Sequence, residues 1–126
     1  MRIRLLLALL AAPLGCAVSN AVWIQPNSDV GKVVFRIAQT PKGDVPLTTF
    51  YGLTVAECGG RVTWEFGTSG SNGPPPGRVI YGEVPPGFVT KAAPRPLRPG
   101  CYHVFITGAA STTFEVTSDG KVIERR

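Results

Sequence analysis

From Val22 onward, apolar side chains recur at every second position, and no other feature limits what this chain can fold into so strongly. A period of two places successive side chains on opposite faces of an extended strand. No stretch carries the 3.6-residue spacing of an amphipathic helix, so the chain is read as all-β. Val33, Phe35 and Ile37 mark one strand face, with Val34 and Arg36 on the other. Leu47, Thr49, Tyr51, Leu53 and Val55 continue the pattern into Cys58-Gly59-Gly60, and Val62, Trp64 and Phe66 follow it. Tyr102, Val104 and Ile106 alternate with Cys101, His103 and Phe105 in the most apolar strand, whose expected place is the centre of a sheet. Val22 to Ile24, Val79 to Tyr81, Phe88-Val89, Thr113 to Thr117 and the edge segment Val122-Ile123 complete the set.

Turn chemistry separates these segments. The Glu57-Cys58-Gly59-Gly60 junction and Ser118-Asp119-Gly120-Lys121 read as hairpins, the second because Asp-Gly accepts the positive φ angles of a type I′ turn. Residues 67–77 have no apolar side chain to bury and read as a surface loop. Residues 91–99 contain Pro94, Pro96 and Pro99, which lack amide donors, and read as an extended connector. Roughly seven to nine short strands in one small domain lead to a single antiparallel β-sandwich, ahead of a small barrel.

The chain has 126 residues, of which 44% are hydrophobic and 17% charged, which favours a folded body of one domain over disorder. Its formal net charge of +5 includes Arg2 and Arg4 of the N-terminal segment, leaving a weak excess of +3 on the body. The positive residues are scattered apart from Lys91, Arg95 and Arg98 and the terminal Arg125-Arg126 pair. With no basic stripe interleaved with aromatics, no nucleic-acid partner is expected.

Arg2 and Arg4 followed by the apolar run Leu5 to Leu14 have the form of a signal peptide, too short to span a bilayer. Residues 1–21 are therefore assigned to a signal segment and residues 22–126 to the sandwich domain. The sequence Ala12-Pro13-Leu14-Gly15-Cys16-Ala17 resembles the lipobox of bacterial lipoproteins. That resemblance implies cleavage before Cys16, lipidation of Cys16 and a membrane anchor, with Ala17 matching the outer-membrane sorting pattern. Pro13 and Leu14 depart from the family pattern, and cleavage after Ala17 or Ala21 is the alternative, giving a secreted or periplasmic protein.

Either processing route leaves Cys58 and Cys101, 43 positions apart, and an isolated pair in an oxidising compartment forms a disulfide by default. Two buried free thiols are the alternative. Neither a CxxC pair nor a second histidine is present, so no metal site is expected.

Leu97-Arg98-Pro99-Gly100-Cys101-Tyr102-His103-Val104 resembles the L-x-P-G-x-Y-x-V corner of bacterial immunoglobulin-like and transthyretin-like domains. The resemblance implies an immunoglobulin-like sandwich in which Leu97 and Tyr102 pack in the core and the Tyr102 hydroxyl reaches backbone. Trp64 and Tyr102 do not stand where antibody domains place their Trp and Tyr relative to the cysteines, so the likeness extends to architecture only.

Little in the chain points to catalysis. His103 lies inside a strand, Ser69 sits in a loop without a G-x-S-x-G elbow, and Glu57, Glu65 and Glu83 fall in separate segments. No phosphate-binding or dinucleotide-binding fingerprint occurs, so no cofactor is expected. Trp23, Trp64 and Phe66 could line a carbohydrate or peptide groove but read first as core, Pro74-Pro75-Pro76 could present a polyproline II segment, and Lys91, Arg95 and Arg98 could meet anionic lipid or polysaccharide. The expected function is a non-catalytic cell-envelope module, lipid-anchored or secreted, that presents loops and an exposed sheet edge to a protein or polysaccharide. A small-ligand or transport-accessory domain and a small hydrolase are the alternatives.

Overall fold

A computed structural model describes residues 21–40, 45–70 and 74–125; residues 1–20 of the assigned signal segment, Cys16 among them, lie outside the described residues, whereas Ala21 already belongs to the first strand. Nine strands form two antiparallel sheets: β1 (Ala21–Ile24), β2 (Val34–Ala38), β3 (Gly52–Glu57), β4 (Val62–Thr68), β5 (Arg78–Ile80), β6 (Phe88–Ala92), β7 (Gly100–Ile106), β8 (Ser111–Val116) and β9 (Val122–Arg125). One sheet has the order β1-β2-β5 and the other β6-β4-β3-β7-β8-β9. The chain crosses between sheets after β2, β4 and β5. β2 pairs with β5, and β3 pairs with both β4 and β7, so strands distant in sequence are neighbours in each sheet of this all-β sandwich. As the apolar content of Tyr102 to Ile106 requires, β7 is central, and β9 is an edge.

The alternating faces meet between the sheets. Leu53 and Val55 of β3 lie opposite Ile106 and Val104 of β7, and Trp64 and Phe66 flank them on β4, all essentially inaccessible to solvent. Val22, Ile24, Phe35, Ile37 and Val79 close the core from the smaller sheet. Two aromatic groups fill most of it. Phe66, Phe50 and Phe88 form a triangle with ring centroids 5.3 to 5.9 Å apart, joined through Trp64 to Tyr81. Tyr102 stacks on Phe114, which meets Phe35. Such contacts are favourable beyond the area they bury.

Three readings of the sequence need correction. The third strand begins at Gly52, not Leu47: Phe50 is buried while Thr49 and Tyr51 are exposed. The reason is Gly52, where the backbone adopts φ +150° and a Cβ would collide with the Phe66 carbonyl oxygen. The bend there lets Phe50 and Leu53, three residues apart, both face inward and breaks the period of two. Lys91 belongs to β6 rather than to the connector, pairing having continued through Ala92 opposite Glu65. Val34, expected on the outer face of β2, is buried together with Val33, as befits the middle strand of its sheet.

Cys58 and Cys101 form a disulfide with Cα atoms 5.4 Å apart, and the Cys58 amide donates to the Cys101 carbonyl at 3.0 Å. Both residues are exposed. The bridge therefore joins the end of β3 to the start of β7 within one sheet instead of crossing the core between sheets, as in antibody domains. Its presence is compatible with an exported, oxidising setting.

Two stability measurements follow. Gly52→Ala must either shift the β3–β4 ladder or strain it, and a loss of about 2 to 4 kcal/mol is expected in urea unfolding; an unchanged midpoint would contradict the close approach to Phe66. Opening the 43-residue loop by Cys58→Ala is expected to cost about 4 kcal/mol in the chain-entropy model. That loss should vanish when parent and variant are compared in reductant.

Candidate functional site

Arg61, Arg95 and Arg98 stand with Glu57 at the disulfide end of the larger sheet, and a β-bulge explains how they are placed. In the β3–β4 ladder Val55 pairs with Trp64 but Ala56 pairs with Val62, leaving Thr63 as the extra residue. A bulge turns backbone groups out of the ladder. The Thr63 hydroxyl donates to the Val55 carbonyl at 3.0 Å, and the Thr63 carbonyl accepts the Arg95 amide at 2.9 Å. Because Pro94 has no amide to donate, Arg95 is the residue that re-attaches the connector to β4 after β6 ends.

Two tyrosine hydroxyls complete the attachment. Tyr81, packed against Trp64, donates to the Arg95 carbonyl at 2.7 Å and lies 3.2 Å from the Thr63 carbonyl. Tyr102 is buried, donates to the Arg98 carbonyl at 2.9 Å and accepts the Arg98 amide at 2.8 Å. This is the contact that the Pro-Gly corner leads one to expect, with Leu97 packed against the core beside it. On the hairpin side, the Glu57 amide donates to the Arg61 carbonyl at 2.8 Å and the Gly60 amide to the Glu57 carbonyl at 2.8 Å. Arg61, Arg95 and Arg98 are thus each held by their own backbone while their side chains stay exposed.

The three arginines, with Glu57, Thr63 and Pro96, line a depression of about 190 Å³. Glu57 and Arg98 also line an adjoining groove of about 390 Å³ that runs past Gly59, Pro99, Gly100 and the disulfide. The Arg125–Glu115 ion pair, 2.5 Å apart, lies on the far strands, and Glu57 is the one carboxylate residue that lines the depression with the three arginines. Lys91 is not part of this set: its aliphatic stem lies over Gly67 on β4, whose would-be Cβ stands 3.2 Å from the Lys91 Cε.

Other expected site residues are placed as follows. His103 stands on the outer face of β7, its Nδ1 2.9 Å from the Thr113 hydroxyl. With Ala56, Val62, Phe105 and Ser111 it lines a shallow, mainly apolar depression of about 370 Å³. Ser69 lies beyond Gly67, which pairs with Gly52, whereas His103 pairs with Ala56. Four residues of strand, about 13 Å, therefore separate their levels in the sheet, and the two are not brought together. Glu65 lies opposite Thr54, and Glu83 lies in the turn after β5 on a groove of about 540 Å³ shared with Arg36 and Pro76, so the three glutamates remain apart. Trp64 and Phe66 are core, while Trp23 is half-buried opposite Arg36. No group of three His, Cys, Asp or Glu residues stands close enough to hold a metal ion among the described residues.

Arg61 is the member of the set that sequence reading missed. It stands three positions after Cys58, and Arg98 stands three before Cys101, so the expected disulfide already implied their approach.

Burial raises the Tyr81 phenol above its ordinary pKa of 10.0. Folding therefore favours its neutral form, a contribution complete below pH 10 and lost as pH rises through the folded-state value. Tyr81→Phe keeps the ring on Trp64 and is expected to cost about 1 kcal/mol, with faster hydrogen exchange at the Arg95 amide. Difference absorbance should show a phenol transition above pH 10.0 in the parent that this variant lacks. Equal exchange at Arg95 in both proteins would dismiss the tether.

Set against known proteins, the chain matches no family model, no curated protein and no solved structure, and its function is read from the arrangement of its own residues.

Proposed function

We propose that this chain is an exported, non-catalytic binding module that presents the loops at its disulfide end to a protein or polysaccharide partner of the cell envelope. One observation carries the proposal: the loops 58–61 and 93–99, which follow β3 and precede β7, are pinned by a disulfide, a bulge and two tyrosine hydroxyls while leaving three arginine side chains in solvent. Fixing loops before contact removes ordering entropy from binding, which is where a presenting module gains affinity. An ordinary surface loop needs no such attachment.

The leader supports export, and Cys16 is the residue through which lipid would anchor the module. Three acyl chains on one cysteine hold a domain stably at a membrane, whereas one chain is marginal. Mass spectrometry of protein from membranes should find Cys16 at the N-terminus, heavier by three acyl chains. An N-terminus at Val18 or Val22 would refute the anchor and leave a secreted or periplasmic module.

The loop-presenting role is checked by co-sedimentation of the disulfide-bonded protein with isolated cell-wall polysaccharide and with washed envelope membranes. Retention is expected to fall at least fivefold when the bridge is removed by Cys58→Ala with Cys101→Ala, under conditions where circular dichroism still reports the sheet. Retention indifferent to that end of the molecule would defeat the proposal.

A further inference from the structure

We infer that the depression formed by Arg61, Arg95 and Arg98 is a binding site for an anionic carbohydrate, with the guanidinium groups taking a carboxylate or phosphate on the sugar and Glu57 accepting its hydroxyls. The inference rests on the presenting-module reading and gives that module its ligand chemistry.

The charge arrangement comes first. Three guanidinium groups converge from two loops on a depression of about 190 Å³. Each is planar, permanently charged and able to form paired hydrogen bonds to an oxyanion. An exposed pair of opposite charges contributes little by itself, but several fixed cations facing one concavity raise the local potential and the concentration of anions there. Like charges so close also repel one another, and an anion bound among them relieves that repulsion.

The scaffold is the second observation. Arg95 and Arg98 are anchored through both amide and carbonyl, and Arg61 through its carbonyl, so all five N–H donors of every guanidinium remain available to a ligand. The polar atoms that hold the loops are not the ones that would bind.

The surroundings select the ligand class. At about 190 Å³ the depression is smaller than the 300 to 1,000 Å³ of common small-molecule pockets and suits one charged residue of a longer chain. It continues through Glu57 and Arg98 into the groove along Gly59, Pro99 and Gly100, where a neighbouring unit of a polymer would lie. Besides the disulfide and Tyr102, that groove offers two glycines, Pro99 and the charged Glu57 and Arg98, and it lacks the aliphatic walls that anchor apolar peptide side chains. A carboxylate beside three arginines would repel a simple anion, but it accepts hydroxyl protons, and a sugar acid supplies both.

Titration of the disulfide-bonded protein, followed by amide and arginine side-chain NMR at low salt, tests this. The probes are tetragalacturonate, glucose 6-phosphate, uncharged cellotetraose, inorganic phosphate and tetraglutamate. Saturable shifts confined to Arg61, Arg95, Arg98 and Glu57 are expected with tetragalacturonate or glucose 6-phosphate, the tighter of the two identifying carboxylate or phosphate as the natural group. Affinity should exceed that for inorganic phosphate and tetraglutamate at least tenfold and fall as ionic strength rises. Arg95→Ala and Arg98→Ala should each weaken binding at least fivefold without unfolding, because their backbone bonds remain, and Arg78→Ala should leave it within twofold. Equal binding of tetraglutamate or inorganic phosphate, shifts spread over Lys32, Lys91 and Arg78, or no saturation would each overturn the inference. If sugar anions fail while disulfide-dependent sedimentation persists, the presenting module stands and its ligand is of another chemistry.

Discussion

Pairing of β3 with β7 at the middle of the larger sheet is the contact on which the remaining structure depends. Leu53 opposite Ile106 and Val55 opposite Val104 put four fully buried side chains in the centre of the core. Each such burial stabilises the fold by about 1.5 to 3 kcal/mol. The two strands are distant in sequence, and closing the chain between them costs entropy that local contacts cannot offset. The Cys58–Cys101 bridge lies at the end of this same pair, one residue past Glu57 opposite Tyr102, and reduces that cost by restricting the unfolded chain. Its position also decides where the loops 58–61 and 93–99 lie, since everything tied to the bridge is carried to one end of the sandwich.

A second layer of organisation is polar and depends on the first. Only when Trp64 is seated in the core does Tyr81 stand upright against it with its hydroxyl at the Arg95 carbonyl. Only when Tyr102 stacks on Phe114 does its hydroxyl reach both backbone groups of Arg98. Aromatic rings with a polar tip thus transmit the order of the core to a connector whose three prolines keep it from joining a sheet of its own. Trp64 shows the limit of this device: its indole Nε1 is buried without a hydrogen-bond partner, so its ring is retained for packing at the expense of an unpaired donor.

How much of this could be read from the residues depends on which were governed by local rules. The strand Tyr102 to Ile106, whose side chains simply alternate, was legible, as was the cysteine pair. The hairpin at Asp119-Gly120 was legible too, although only Gly120 there has a positive φ, so its turn is not type I′. Val62 to Phe66 was legible only in part, because the bulge at Thr63 leaves Val62 exposed instead of sharing the buried face of Trp64 and Phe66. Leu47 to Tyr51 was not, because the phase of alternation there is reset by a close backbone contact between Gly52 and Phe66, which are far apart along the chain. The arginine set was half legible. Arg95 and Arg98 are near in sequence, but Lys91 was grouped with them by proximity alone, and its place is taken by Arg61 through the disulfide. The bulge at Thr63 left no mark in composition, since Thr fits a regular strand as well as an interrupted one.

Rigid attachment and exposed charge together bear on how such a site would act. Long arginine side chains lose rotamer entropy on binding, by up to about 2 kcal/mol each, and a loop that also had to order would add about 1 to 2 kcal/mol per residue. Here the second cost falls on folding instead, where the aromatic core and the disulfide outweigh it. What remains for binding is side-chain ordering and partial desolvation of guanidinium groups, which are less strongly hydrated than ammonium groups. That balance favours arginine over lysine at these positions. It also describes a surface where exposed arginine charge is set apart from the core while its backbone is fixed by that core.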